Sequence, residues 1–194
     1  MGLGRHGGEA DRAIRGLVIG KFMPVHNGHR YLIDTALAQV ARLTIVVCSS
    51  PGELIPGPLR FQWMQALYPQ VHVVHLVQEA SWSPRGHPAC YGRWAQALQR
   101  GHPAPIDLVF GSEEYIAPLA ARLGAQAVMV DRARVAVPIS ATAIRANPWA
   151  HWAYIPEVVR PYFLAASGDG QEQAKRGSSS PCRSRNASRE QHRF

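Results

Sequence analysis

The segment Gly20-Lys-Phe-Met-Pro-Val-His-Asn-Gly-His29 gathers an ammonium, two imidazoles and two glycines in one short stretch. Each of these residue types has a use around an anion. Gly20 lets the backbone approach a ligand closely and present its N–H. Lys21 offers a mobile point charge, and Pro24 stiffens the turn. His26 and His29 are three apart at a helix start, so both rings can face one phosphate group; the same spacing also suits a plain surface pair. Gly28 permits a ligand to pack over the helix N-terminus, where about half a positive charge is available. A second stretch, Ile139-Ser-Ala-Thr-Ala-Ile-Arg145, follows Pro138. Its hydroxyls, Ser140 and Thr142, sit at another helix start, and Arg145 lies one turn further along. Two such cradles in one domain imply a nucleoside triphosphate. Residues 1–166 hold fourteen arginines and a single lysine, Lys21, at the first of these turns. No metal site is read: His72 and His75 belong to a separate strand, and no Cys or carboxylate has companion spacing.

The elements that must position these residues alternate along the chain. Gly16–Gly20, Leu43–Cys48, Val71–Val77, Ile106–Phe110 and Gln126–Val130 read as strands. Gly28–Ala41, Arg60–Tyr68, Tyr91–Arg100 and Tyr115–Leu123 read as helices, with Gly124 as a stop signal. Pro138 bars a helix until Ser140 can cap a short one, and a final helix is expected from Ile155-Pro156 to Phe163. Strands alternating with helices predict an α/β fold: a Rossmann-like parallel sheet flanked by helices. In such a sheet ligands lie beyond the carboxyl ends of the strands, where the first motif falls. Trp149, Trp152 and Tyr154 read as core packing.

Composition bounds the rest. The chain has 194 residues, 46% hydrophobic and 18% charged, enough for one core. Its oiliest run, Leu43–Cys48, is too short to span a bilayer, and no signal-peptide core follows Met1. Three scattered cysteines, Cys48, Cys90 and Cys182, argue for a reducing cytoplasm rather than a disulfide scaffold. The net charge of +8 is divided between +5 in residues 1–166 and +3 in residues 167–194. That last stretch has no Val, Ile, Leu, Met, Trp or Tyr, and cannot bury enough surface to offset its ordering entropy. The expected organisation is a flexible N-terminus over 1–14, one domain over 15–165 and a disordered basic tail over 166–194. Neither a membrane nor a nucleic-acid partner is expected; homo-oligomer formation stays open.

Taken together, G-K-F-M-P-V-H-N-G-H and I-S-A-T-A-I-R resemble the H-x-G-H nucleotidyltransferase superfamily. Arg60-Phe-Gln-Trp-Met-Gln65, Gly111-Ser-Glu113, Val130-Asp131 and Asn147-Pro-Trp-Ala-His-Trp-Ala-Tyr-Ile-Pro156 are similar to one branch, the NadR-type nicotinamide mononucleotide adenylyltransferases. The resemblance covers about residues 15–164. It implies the nucleotidyltransferase fold and adenylyl transfer from ATP to nicotinamide mononucleotide, giving NAD and pyrophosphate, with Mg2+ carried by ATP. It also implies roles. His26, His29, Lys21 and Arg145 form the catalytic set, with His29 nearest the reacting phosphate. Gly20, Phe22, Gly111, Ser112, Glu113, Ile139, Ser140 and Thr142 complete the ATP site. Glu113 either accepts from ribose hydroxyls or merely begins a helix. Trp94 either stacks on the pyridinium ring or is a buried helix tryptophan. The alternatives are adenylyl or cytidylyl transfer to another phosphorylated acceptor, and a non-catalytic nucleotide sensor. Family members usually continue into a ribosylnicotinamide kinase domain opened by a P-loop. Residues 166–194 contain no G-x-x-x-x-G-K-[ST], so kinase activity is not expected of this sequence. A leading DNA-binding helix-turn-helix, found in some members, has no counterpart before the first strand either.

Overall fold

The structure is a computed structural model that describes residues 13–77, 88–101 and 105–167. The chain divides into two units, Met1–Arg160 and Pro161–Phe194. In the first unit the β-branched runs form five strands: β1 (Arg15–Gly20), β2 (Arg42–Ser49), β3 (His72–Val77), β4 (Leu108–Gly111) and β5 (Gln126–Met129). All are parallel, in the order β3-β2-β1-β4-β5. Helices α1 (Asn27–Leu37), α2 (Gly57–Leu67), α3 (Pro88–Gly101) and α4 (Ile116–Leu123) connect them, and α5 (Ala141–Ala146) follows β5. This is the Rossmann-like sheet that the alternating pattern predicts.

Side chains alternate across each strand, which sorts them between two helical layers. Leu17 and Ile19 of β1 and Val46 and Cys48 of β2 pack with Trp94, Leu98, Ile116 and Leu119 of α3 and α4. Val18, Ile45 and Val47 point the other way and are also buried; α1 and α2 pack on β1, β2 and β3. The strand order reverses direction between β1 and β4. That reversal opens a crevice at their carboxyl ends, where Gly20-Lys21 and Gly111-Ser112-Glu113 leave the sheet.

The helix ends follow local chemistry. Helix α1 stops at Leu37, short of Ala41, because the Ala41 and Arg42 amides donate to the Ile14 carbonyl (3.0 and 3.2 Å) and lead the chain into β2. Helix α2 begins at Gly57, earlier than expected, since a proline at the first helical positions costs no intrahelical bond. Helix α4 ends at Gly124, in the left-handed conformation (φ +69°). The final helix departs from expectation. Trp152–Tyr154 is a 3-10 turn and residues 155–159 are not helical. In the second unit, residues 161–167 are helical, and Ser167 Oγ donates to the Phe163 carbonyl at 2.9 Å. The expectations for residues 1–12 and 168–194 lie outside the described residues. Among the described residues, no helix is long and apolar enough to cross a membrane.

Candidate active site

The chain leaves β1 in a tight turn. Phe22 adopts a left-handed conformation (φ +49°), and the Met23–Pro24 bond is cis. Helix α1 then starts with His26 as its N-cap. The His26 backbone is extended, and its Nδ1 accepts from the amides of Gly28 (3.1 Å) and His29 (3.3 Å). An imidazole in this role replaces the usual Ser, Thr, Asp or Asn oxygen. It requires the neutral ring to carry its proton on Nε2, which leaves a donor and no charge.

This geometry explains Gly28 differently from the sequence. A Cβ there would lie 3.0 Å from His26 Cε1 and 3.1 Å from Nδ1, so the space expected to serve a ligand is filled by the capping ring. Gly20 is similar: a Cβ would come within 3.3 Å of the Phe22 ring. The two imidazoles do not sit side by side. They stack, with centroids 3.8 Å apart at 26°, and Phe22 meets His29 edge-on at 5.0 Å.

The second motif begins in the same manner. Ser140 caps α5, its Oγ accepting from the Ala143 amide at 3.1 Å. Arg145 joins the two motifs: one guanidinium nitrogen donates to the Met23 carbonyl in the β1 turn, the other to Thr142 Oγ1 (3.1 Å).

Both motifs face one cleft with two lobes. The first, about 360 Å³, is lined by His26, Gly28, Val130, Asp131, Arg134, Ile139 and Ser140 among others. The second, about 380 Å³, is lined by Gly20, Lys21, Phe22, Trp94, Gly111, Tyr115 and Arg145 among others. His29, Leu32, Ser112, Glu113, Ala141 and Thr142 line both. Every residue assigned to the site from the sequence therefore borders this cleft.

Trp94 is a buried helix tryptophan that also borders the cleft. It is 4% exposed and belongs to the core between α3, α4 and the sheet, yet it also lines the second lobe. Its ring meets Tyr115 edge-on at 6.1 Å, and its Nε1 is buried without a hydrogen-bond partner. Tyr115 in turn donates to the Ile19 carbonyl (3.1 Å).

Lys21 is held by a network that the motif does not reveal. Its Nζ lies 2.9 Å from Glu53 Oε1. The other Glu53 oxygen pairs with Arg60, which is fully buried. Arg60 also donates to the carbonyls of Ile55 (2.9 Å), Cys48 (3.0 Å) and Lys21. Burial pushes Glu53 upward, but the Lys21 and Ser50 hydrogen bonds and the Arg60 charge outweigh it and hold the carboxyl low. Beside this network the buried Cys48 thiol is pushed up to about 12, chiefly by burial, which makes it inert.

The histidines are electrically quiet. Burial, and then the Arg134 charge, lowers His26 to about 4. Burial, His26 and Arg134 hold His29 well below its ordinary value. Near neutral pH both are neutral hydrogen-bonding groups.

Asp131 and Arg134 are site residues without a role in the sequence reading. Both have positive φ, a backbone state invisible in a sequence unless glycine marks it. Trp149, Trp152 and Tyr154 depart from the core packing expected of them, Trp152 and Tyr154 being only half-buried. Trp149 is 50% exposed, the Trp149 and Trp152 rings stack 4.9 Å apart, and Arg160 lies over Trp152 at 5.4 Å. A turn carries both rings along the surface, where they cover each other. His75 bonds Ser49 (2.7 Å) and stacks on Phe61 (5.5 Å), and among the described residues no three His, Cys, Asp or Glu converge on a point.

No protein-family model matches the chain. Over 167 residues it is 32% identical to the trifunctional NAD biosynthesis/regulator protein NadR of Escherichia coli (strain K12), across 77% of this chain and 40% of that protein. It is 30% identical, with the same coverage, to the NadR protein of Salmonella typhimurium (strain LT2). The chain thus spans about two fifths of the length of these curated relatives. A crystal structure of NadR in complex with NAD and AMP-PNP shares the fold. Its TM-score is 0.60 at 22% identity, over 76% of this chain and 46% of that one.

Proposed function

The chain is a homologue of NadR, and on that premise we propose that it transfers the adenylyl group of ATP to nicotinamide mononucleotide, yielding NAD and pyrophosphate. The observation that carries the reading is the convergence of the two motifs on one cleft, bridged by Arg145. In the reaction a phosphate oxygen of the mononucleotide attacks the α-phosphorus of ATP. The bond from that phosphorus to the bridging oxygen breaks, and pyrophosphate leaves. The attacking phosphate is mostly a dianion near neutral pH, its second pKa being about 6, so no general base is needed. The protein's tasks are in-line alignment and stabilisation of charge.

The lining residues suit these tasks. Neutral His29, at the junction of the lobes, donates a hydrogen bond to the reacting phosphate, and His26 adds its Nε2–H. Lys21 and Arg145 take up phosphate charge. Ser140 and Thr142 bind the distal phosphates, with the Ser140 hydroxyl free to donate because its lone pair is spent on the cap. Glu113 meets the ribose. Trp94 offers its indole to the pyridinium ring, an attraction of about 1–2 kcal/mol when desolvated. Magnesium arrives on the triphosphate as part of the substrate, while the Asp131 carboxylate is engaged by the backbone amides of its own loop.

Purified protein incubated with ATP, magnesium and nicotinamide mononucleotide, followed by enzymatic measurement of NAD, tests the proposal. A panel including the deamidated mononucleotide and phosphopantetheine runs beside it. NAD formation is the expected result. Turnover of a different acceptor, or ATP binding without product, would overturn the assignment.

A further inference from the structure

We propose that Arg134 contacts the phosphates of the bound nucleotide from the histidine side of the cleft, and that Asp131 is the positioning residue that aims it there. The identity of the nucleotide rests on the adenylyltransferase reading; the contact itself does not. Charge placement is the first argument. His26 and His29 are held neutral by burial, so the histidine lobe draws no cation from them. Lys21 and Arg145 line the other lobe, where Glu53 and the Met23 carbonyl already engage them. Arg134 lines the histidine lobe, and its field is felt at both imidazoles. A polyphosphate entering beside His26 and His29 meets this guanidinium, whose planar fork suits phosphate oxygens.

The second argument is the loop. Asp131 (φ +45°) and Arg134 (φ +53°) are both left-handed, a state that non-glycine residues keep only where their surroundings over-determine it. Here the surroundings are explicit. The Arg134 amide donates to the Asp131 carbonyl (2.8 Å). Asp131 Oδ1 accepts from the amides of Val135 (2.8 Å) and Ala136 (3.2 Å), and Oδ2 accepts from Val137 (3.1 Å). One carboxylate thus gathers the three residues after Arg134 and fixes where its side chain starts. Arg132, on the same loop, is instead an exposed partner of Glu114 and lines neither lobe. The loop therefore assigns its two arginines to different places.

The test measures binding of ATP, inorganic tripolyphosphate and adenosine by titration calorimetry, with steady-state kinetics alongside. R134Q is expected to weaken ATP and tripolyphosphate at least tenfold while leaving adenosine within twofold, and R134K to recover part of the loss. R132Q is expected to match wild type throughout. D131N, with its thermal midpoint followed in parallel, should raise KM for ATP several-fold and leave KM for the mononucleotide unchanged. Unchanged ATP binding in R134Q, or an equal loss for adenosine and ATP, overturns the phosphate contact. An equal rise in both KM values for D131N overturns the positioning role. The two readings also separate. Wild-type protein that binds tripolyphosphate through Arg134 but forms no NAD refutes the adenylyltransferase proposal alone. R134Q that makes NAD with an unaltered KM for ATP refutes the Arg134 contact alone.

Discussion

On one side of His29 the cleft is bordered by two neutral imidazoles and by Arg134 on a loop pinned by a carboxylate. On the other side lie Lys21 and Arg145, each already bonded to protein, one to Glu53 and one to the Met23 carbonyl and Thr142. The first lobe keeps its charge on the loop, with His26 capping a helix and both imidazoles neutral. The second has its charges tethered before any ligand arrives. Tethering a cation lowers the entropy lost when it grips phosphate, at the cost of competition from its existing partners. Polarity is built in two ways within one pocket, and each way can be broken separately.

The largest effect is expected under the second lobe. Arg60→Ala removes the guanidinium that ties the end of β2, the Lys21 backbone and Glu53 together, leaving buried acceptors unpaired. Breaking such a buried pair costs about 3–5 kcal/mol, which denaturant unfolding will read. A loss within about 1 kcal/mol would mean that the lobe is not assembled on Arg60.

Next is His29→Ala. Removing one preorganised donor costs about 3 kcal/mol, roughly a hundredfold in rate. The check is kcat for NAD formation in a variant whose unfolding matches wild type. A variant within threefold of wild type would take His29 out of the chemistry.

The neutrality of the histidine lobe has a stability signature of similar size. His26 is lowered to about 4 in the folded protein from an ordinary value near 6.5 in the unfolded chain. Between these values the unfolded chain binds more protons, so stability is complete above pH 6.5 and drains away as pH falls toward 4. His26 alone contributes on the order of 3 kcal/mol across that window, and His29, also lowered, acts in the same direction. Urea midpoints between pH 7.5 and 4.5 should fall accordingly, and His26→Asn, which keeps a capping oxygen, should flatten the slope. Midpoints that stay constant down to pH 5 would show imidazoles that protonate without penalty.

The smallest change is expected from Gly28→Ala. The new Cβ would press on the His26 ring at 3.0 Å. Alanine gains about 1 kcal/mol in helix propensity, while the disturbed cap loses about as much. Stability should therefore barely move. Activity should fall about tenfold, because displacing one of two stacked rings moves the other. A parallel drop in stability and rate would instead make Gly28 a plain packing residue.

The elements and the motifs that face the cleft are legible in the order of residues along the chain. β-Branched runs, helical periodicity, Pro138 before Ser140 and Gly124 at a helix end are local signals, because strand, helix and cap preferences act over a few residues. They were enough to bring His26, His29, Lys21, Ser140, Thr142 and Arg145 to the carboxyl end of one sheet. What those side chains touch follows from contacts made across the folded chain. The fold gave His26 a helix to cap, and it left Trp149 exposed and Trp152 half-buried, where core packing was expected of both. It turned Arg60 into a buried staple for Lys21 and aimed Arg134 into the cleft. Each of those outcomes depends on a backbone angle or a partner far along the chain, and short-range propensity carries no record of either.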